Sequence, residues 1–182
     1  MKYITRWGLM RNTFPENIQE HSLSVAIIAH ALAVIRNKLF KGEVDEGKVA
    51  IFAMFHDCNE IITGDMPTPI KYQNPEINLA YKEVEDISRK KLLTMLPDEL
   101  QDIYADILFH ENSRGDYWKI VKAADRISAY IKCIEEIKAG NNEFRKAGES
   151  ILNSISKIDM PEVRYFMDHF ISSFNLTLDE LD

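Results

Sequence analysis

Apolar positions recur along this chain at helical spacing almost from end to end, and no stretch of useful length alternates as a strand would. The segment Asn17–Asn37 carries apolar residues on more than one face, as a central buried helix does, with Asn17 as its cap and Pro15 just upstream. A second helix is predicted from Asp45, its N-cap, through VAIFAMF to Thr63, where Gly64 stops it. DMPTPIKYQNP follows, a proline-rich ordered turn and the one long non-helical stretch. Further helices are predicted at Glu76–Leu96, Asp98–Asn112, Trp118–Ala139, Asn142–Ile158 and Pro161–Phe174, with a break at Ala139-Gly140-Asn141-Asn142. The expectation is an all-α single domain over residues 1–182, a bundle of about six to eight helices.

The bulk composition narrows the function classes. A chain of 182 residues can bury enough surface to fold without disulfides, and its two cysteines, Cys58 and Cys133, lack CxxC spacing. That suits a reducing, cytoplasmic setting and offers no thiolate metal site. The N-terminus shows no secretory h-region, and the longest apolar run, residues 25–35, is shorter than a membrane span. The net charge is −7 and no basic block stands out, which argues against a nucleic-acid polymer as partner. A small anionic substrate is compatible, since one metal ion and one arginine can reverse a local field.

Three segments hold candidate metal ligands: EHS with His21, FHDCNE with His56, Asp57 and Glu60, and KAADRISAY with Asp125. At about 100° per residue, Glu60 projects about 40° from His56 and about 60° from Asp57, so the three share one polar patch on an apolar helix. Such a patch is costly beside a core unless it is paired or binds metal. Two imidazoles with two carboxylates suit Mn²⁺, Co²⁺, Fe²⁺ or Zn²⁺ better than calcium. Spacing alone leaves a metal site and a merely paired polar cluster both open. His30 lies about 180° around the helix from His21 and is expected to be a core or helix-contact histidine. His169 is expected on a terminal packing face, and His110 at a helix end or in the core, with a second metal or substrate role as the alternative.

The order His21, His56-Asp57, Asp125 resembles the HD-domain metal phosphohydrolases. Arg6-Trp7, EHSLSVA, HDCNEIITGDMPTPIKY, KAADRISAYIKCIEEIKAGNNEF and the closing FNLTLDEL are similar, nearly end to end, to the bacterial HD-domain 5′-deoxynucleotidases. The resemblance implies an all-helical homodimer that hydrolyses deoxyribonucleoside 5′-monophosphates with Co²⁺ or Mn²⁺. It implies His21, His56, Asp57 and Asp125 as metal ligands, Arg6 as the residue orienting the phosphate, and Trp7 as the wall at the sugar 2′ position. It also implies Glu60 beside the attacking water, as acid or base, with Asp57 orienting that water. Asp65, Met66, Pro67 and Thr68 would form the turn at the sugar. Without the resemblance, Arg6 reads as a solvated arginine, Trp7 as half-buried packing and Asp65 as a turn cap. Two rivals stay open: another HD phosphohydrolase acting on a triphosphate or cyclic phosphodiester, and a non-catalytic helical module with a structural metal. No Lys/Arg cluster for a triphosphate tail and no GYP motif stand near these segments.

Overall fold

The computed structural model describes residues 1–71, 74–109 and 115–180, with the side chains of Thr68 and Leu178 outside the description. Among these residues the secondary structure is helical. The one strand-like feature is an isolated antiparallel bridge between Thr5 and Asn17. Seven helices run nine residues or longer: α1 (Ile18–Leu39), α2 (Glu46–Phe55), α5 (Pro75–Leu93), α6 (Asp98–Leu108), α7 (Gly115–Lys138), α8 (Arg145–Ile155) and α9 (Pro161–His169). Two single-turn helices, α3 (Glu60–Thr63) and α4 (Thr68–Lys71), lie between α2 and α5. The expected all-α bundle is thus observed.

α1 begins where its cap dictates. Asn17 Oδ1 accepts from the Gln19 and Glu20 amides, and the Glu20 carboxylate reaches back to the Asn17 amide at 3.1 Å, closing a capping box. Asp45 caps α2 in the same way through the Lys48 amide at 2.9 Å. By length and apolarity α1 could cross a membrane, yet it is the central core helix, packed on α2, α7 and α9. Val25, Ala29, Leu32 and Ala33 of α1 meet Val49 and Ala53 of α2 and Ile120, Val121, Ala124 and Ile127 of α7, all buried. Gly148 lets α8 lie close to α7, because a Cβ there would stand 3.3 Å from Cys133 Cβ.

Several predicted boundaries shift, and one shift matters. The helix expected from Asp45 to Thr63 breaks after Phe55. The amides of His56, Cys58, Glu60, Ile61 and Ile62 each bond the carbonyl three residues back, a tightened turn between α2 and α3. Gly64, at φ 72°, ends α3 as expected. The proline-rich stretch contains α4 rather than turn alone, and the last two predicted helices each give part of their length to 3₁₀ turns, at Asn142–Phe144 and Ile171–Asn175. His30 is exposed, not in the core, because half a turn from His21 faces away from the buried side of α1. His169 is also exposed and stacks on Tyr165 at 4.0 Å, within the expected terminal packing face. His110, the predicted helix end at Asn112, Tyr72 and Gln73 of the turn, and Leu181 of the closing motif lie outside the described residues.

Candidate active site

α1, the tightened turn after α2, and α7 bring His21, His56, Asp57 and Asp125 to one point. Asp57 Oδ2 stands 3.0 Å from His56 Nε2 and 3.6 Å from His21 Nε2. Asp125 Oδ1 stands 3.2 Å from His21 Nε2 and 4.0 Å from His56 Nε2. Both imidazoles are buried, and neither Nε2 makes a hydrogen bond despite these close approaches. Donors each about 2.1 Å from a common ion lie about 3.0 to 4.2 Å apart, from right-angled to opposed. The four imidazole–carboxylate separations fall in that interval; His21, His56 and Asp57 form the group whose ligand atoms all lie within 4.8 Å of one another, and Asp125 adjoins it through the two imidazoles. The donor set therefore fits a divalent transition ion.

The tautomers support part of that fit directly. His56 Nδ1 lies 2.7 Å from the Ala53 carbonyl, which can only accept, so Nδ1 carries the proton and the Nε2 lone pair faces the site. His21 Nδ1 has two neighbours, the Arg6 guanidinium at 2.8 Å and Ser128 Oγ at 3.4 Å. Arg6 can only donate, so in this arrangement Nδ1 accepts. Ser128 is the group able to accept once Nδ1 holds a proton.

The electrostatics follow from burial working against a dense charge cluster. Burial and the adjacent Arg6 lower the His21 pKa. At His56 burial also pulls downward, but Asp57 and Asp125 outweigh it and raise the pKa. Burial would lift Asp57 and Asp125. The histidines, joined by Lys122 at Asp125, hold both below the usual carboxylate range. Glu60 is the opposite case. Buried and next to Asp57 and Asp65, it is pushed up to about 9, and its Oε2 has no hydrogen-bond partner. The tightened turn accounts for its position, since residues three apart eclipse there, whereas α-helical phase would set Glu60 about 60° from Asp57.

Arg6 is no solvated arginine. Its side chain is 13% exposed and donates to Glu16 at 2.6 Å as well as contacting His21. Burial opposes its charge, but Glu16, Asp125, Asp57 and Asp65 raise its pKa. Trp7 is half-buried, with its ring 5.2 Å from that of Phe144 and its indole N–H unpartnered. Its φ of 60° is a rare backbone for a bulky residue, a local strain of the kind found at functional sites. Asp65, partly buried, is raised by burial against the pull of Arg6, so it faces the same cluster; Met66 and Pro67 are half-buried beside it in the turn before α4.

Sequence reasoning passed over Glu16, Ser128 and Lys122. Lys122 Nζ lies 3.9 Å from Asp125 Oδ2 and over the Trp118 ring at 4.6 Å. Lys122 and Ser128 sit three residues either side of Asp125, so the signal was present in helical spacing.

An all-helical core with paired imidazoles and carboxylates converging from two helices and the turn after α2 defines the class: an HD-domain phosphohydrolase. A crystal structure of an HD-domain phosphohydrolase from Listeria innocua superposes with TM-score 0.83 at 26% identity, covering 94% of this chain and 82% of that one. A cyanophage S-2L HD phosphohydrolase, solved bound to dA and one catalytic Zn²⁺, shares the fold at TM-score 0.63 and 19% identity, covering 93% and 91%. A protein-family model described as 5′-deoxynucleotidase YfbR-like matches residues 1–174. A 5′-deoxynucleotidase of Photobacterium profundum is 50% identical over 181 residues, covering 100% of this chain and 93% of its own. One from Cronobacter sakazakii is 48% identical, with 100% and 91% covered. The chain belongs to the YfbR-like 5′-deoxynucleotidase family.

Proposed function

We propose that this protein is a metal-dependent 5′-deoxynucleotidase, which hydrolyses deoxyribonucleoside 5′-monophosphates to deoxynucleoside and phosphate and discriminates against ribonucleotides. The observation that carries the reading is the pair of buried imidazole nitrogens, neither satisfied by a hydrogen bond, converging with Asp57 and Asp125 beside a buried guanidinium. Such a site suits one small dianion held against a cation.

His21, His56, Asp57 and Asp125 would hold the divalent ion, with Co²⁺ or Mn²⁺ as the supporting metal. When bound, that ion supplies Lewis acidity, lowering the pKa of water and neutralising phosphoryl charge. Ligation through His21 Nε2 would leave the proton on Nδ1, where Ser128 accepts it. Arg6, still anchored on Glu16 but released from His21, then offers its remaining N–H groups to the phosphate and stabilises the negative charge that grows in the transition state. Asp57 orients the attacking water. Glu60, buried beside the site, would exchange the proton that leaves the attacking water and reaches the departing 5′-oxygen as the P–O bond breaks. Trp7 walls off the 2′ position, while Asp65, Met66, Pro67 and Thr68 contact the sugar, Asp65 accepting from the 3′-OH.

The active form is proposed to be a cytoplasmic homodimer. Unpaired, buried Cys58 and Cys133 suit a reducing compartment, and Leu79, Ile87, Leu100 and Ile103 leave apolar surface exposed on α5 and α6. Phosphate release from dAMP, AMP, dATP and a cyclic dinucleotide, each with Mn²⁺, Co²⁺, Mg²⁺ and Zn²⁺, tests the proposal. Turnover of dAMP far above the other three is expected. Preferential turnover of dATP or of the cyclic substrate would move the chain to another HD activity, and tight metal binding without turnover would make it a binding module.

A further inference from the structure

The buried face of α7 carries a polar stripe. Asp125, Ser128, Lys132 and Glu136 are spaced by three, four and four residues, so Glu136 returns to within about 20° of Asp125, about 16 Å along the axis. The upper half of this stripe meets the site at Asp125 and Ser128. The lower half grips the N-terminal arm that carries Arg6 and Trp7.

That grip is dense. Glu136 is fully buried, and its carboxylate accepts from the Thr13 amide at 2.8 Å, the Phe14 amide at 3.0 Å, Asn141 Nδ2 at 2.8 Å and Lys132 Nζ at 2.5 Å. Lys132, itself buried, also donates to the Phe14 carbonyl. Asn141 ties the same cluster to the arm again through the Arg11 carbonyl at 2.7 Å. At the arm's other side, the Arg6 amide donates to the Glu16 carbonyl at 2.9 Å and the Ile18 amide to the Ile4 carbonyl at 3.0 Å. Residues 6–10 therefore form a loop pinned at both ends, with Trp7 seated on Phe144. Nothing in the metal-ligand geometry needs Glu136. The Arg6–Trp7 loop does.

We propose that Glu136, with Lys132 and Asn141, is a positioning residue that sets Arg6 and Trp7 at a fixed distance from the Asp125 end of the site, and so governs both turnover and rejection of the 2′-hydroxyl. This rests on the reading of Arg6 and Trp7 as the phosphate and sugar contacts. A misplacement of about 1 Å can cost about 10²-fold in rate, and a wall that rejects one hydroxyl by bulk needs the same rigidity.

The test compares wild type, Glu136→Gln and the milder Asn141→Ala, with folding checked by thermal denaturation. Metal affinity, read by calorimetry with Co²⁺, is expected to stay near wild type, because all four ligands are intact. With dAMP, kcat is expected to fall about tenfold to 10²-fold in Glu136→Gln, and the dAMP-to-AMP ratio of kcat/KM is expected to collapse toward unity. Asn141→Ala should move both in the same direction by less. In an Arg6→Ala, Trp7→Ala background neither substitution should reduce turnover or the ratio further. Full turnover and an unchanged ratio in folded Glu136→Gln would overturn the proposal, as would losses that simply add to those of Arg6 and Trp7. If Glu136→Gln fails to fold, an unchanged ratio in Asn141→Ala overturns it. Wild type inactive on dAMP with every metal would instead refute the deoxynucleotidase reading, and this proposal with it.

Discussion

Replacing Glu60 with glutamine should make the metal-free protein more stable while removing most of its activity. Burial and the Asp57 and Asp65 charges push the Glu60 carboxyl up to about 9, against an ordinary value of 4.5. For an acid whose pKa is higher folded than unfolded, the folded state binds more protons through the interval between the two values. Stability therefore falls as pH rises from about 4.5 toward about 9. At pH 7 the interval traversed corresponds to about 3 kcal/mol at 1.36 kcal/mol per unit, reduced to about 2 kcal/mol by screening and relaxation around the neighbouring carboxylates. Glutamine keeps the shape and cannot ionise, so it escapes this cost. For a chain of this size about 2 kcal/mol raises Tm by about 4–8 °C. The assay is thermal denaturation of wild type and Glu60→Gln in EDTA at pH 5 and pH 7. The gain should be present at pH 7 and shrink below about 1 kcal/mol at pH 5. After metal is restored, kcat for dAMP should be about 10²- to 10⁴-fold down. A gain absent at pH 7, or independent of pH, would show that the fold does not hold the Glu60 carboxyl above its ordinary range. Near wild-type turnover would remove its proton-transfer role.

Three other outcomes are expected. Trp7→Ala should let AMP compete with dAMP in the phosphate-release assay, and unchanged discrimination would end the gating role of that ring. Phe144→Ala empties a fully buried site under Trp7. It should destabilise by about 3–5 kcal/mol in urea unfolding and weaken the same discrimination. Glu136, despite its burial, is held down to about 2 by Lys132, by the Phe14 and Thr13 amides and by Asn141. Its contribution, about 2–3 kcal/mol, is complete above about 4.5 and is lost as pH falls toward about 2. Glu136→Gln should therefore flatten the acid limb of a urea-denaturation pH profile.

Much of the fold was legible locally. Asn17, Asp45 and Gly64 act where residue chemistry places them, because caps and stops depend on side chains within one turn. The break after Phe55 was not legible. It accompanies a ring-to-backbone contact, His56 Nδ1 on the Ala53 carbonyl, that apolar periodicity does not encode. The four candidate ligands were named through family resemblance in the order of their motifs, but their convergence depends on how α1, α2 and α7 pack. Arg6 shows the limit most clearly: on composition it belongs on the surface, yet the Thr5–Asn17 bridge and the Glu16 contact draw it inside. The α7 stripe was visible as spacing in KAADRISAYIKCIEE, but its meaning required the arm that lies across it.

The central claim is that His21, His56, Asp57 and Asp125 hold one ion that powers phosphomonoester hydrolysis. It is tested most directly by stripping the protein of metal and titrating Co²⁺ or Mn²⁺ back while following phosphate release from dAMP. The account expects no release in EDTA, recovery that saturates at about one equivalent per chain, and none in His56→Ala or Asp57→Ala. Full activity in EDTA, or equal recovery in those two variants, would contradict it.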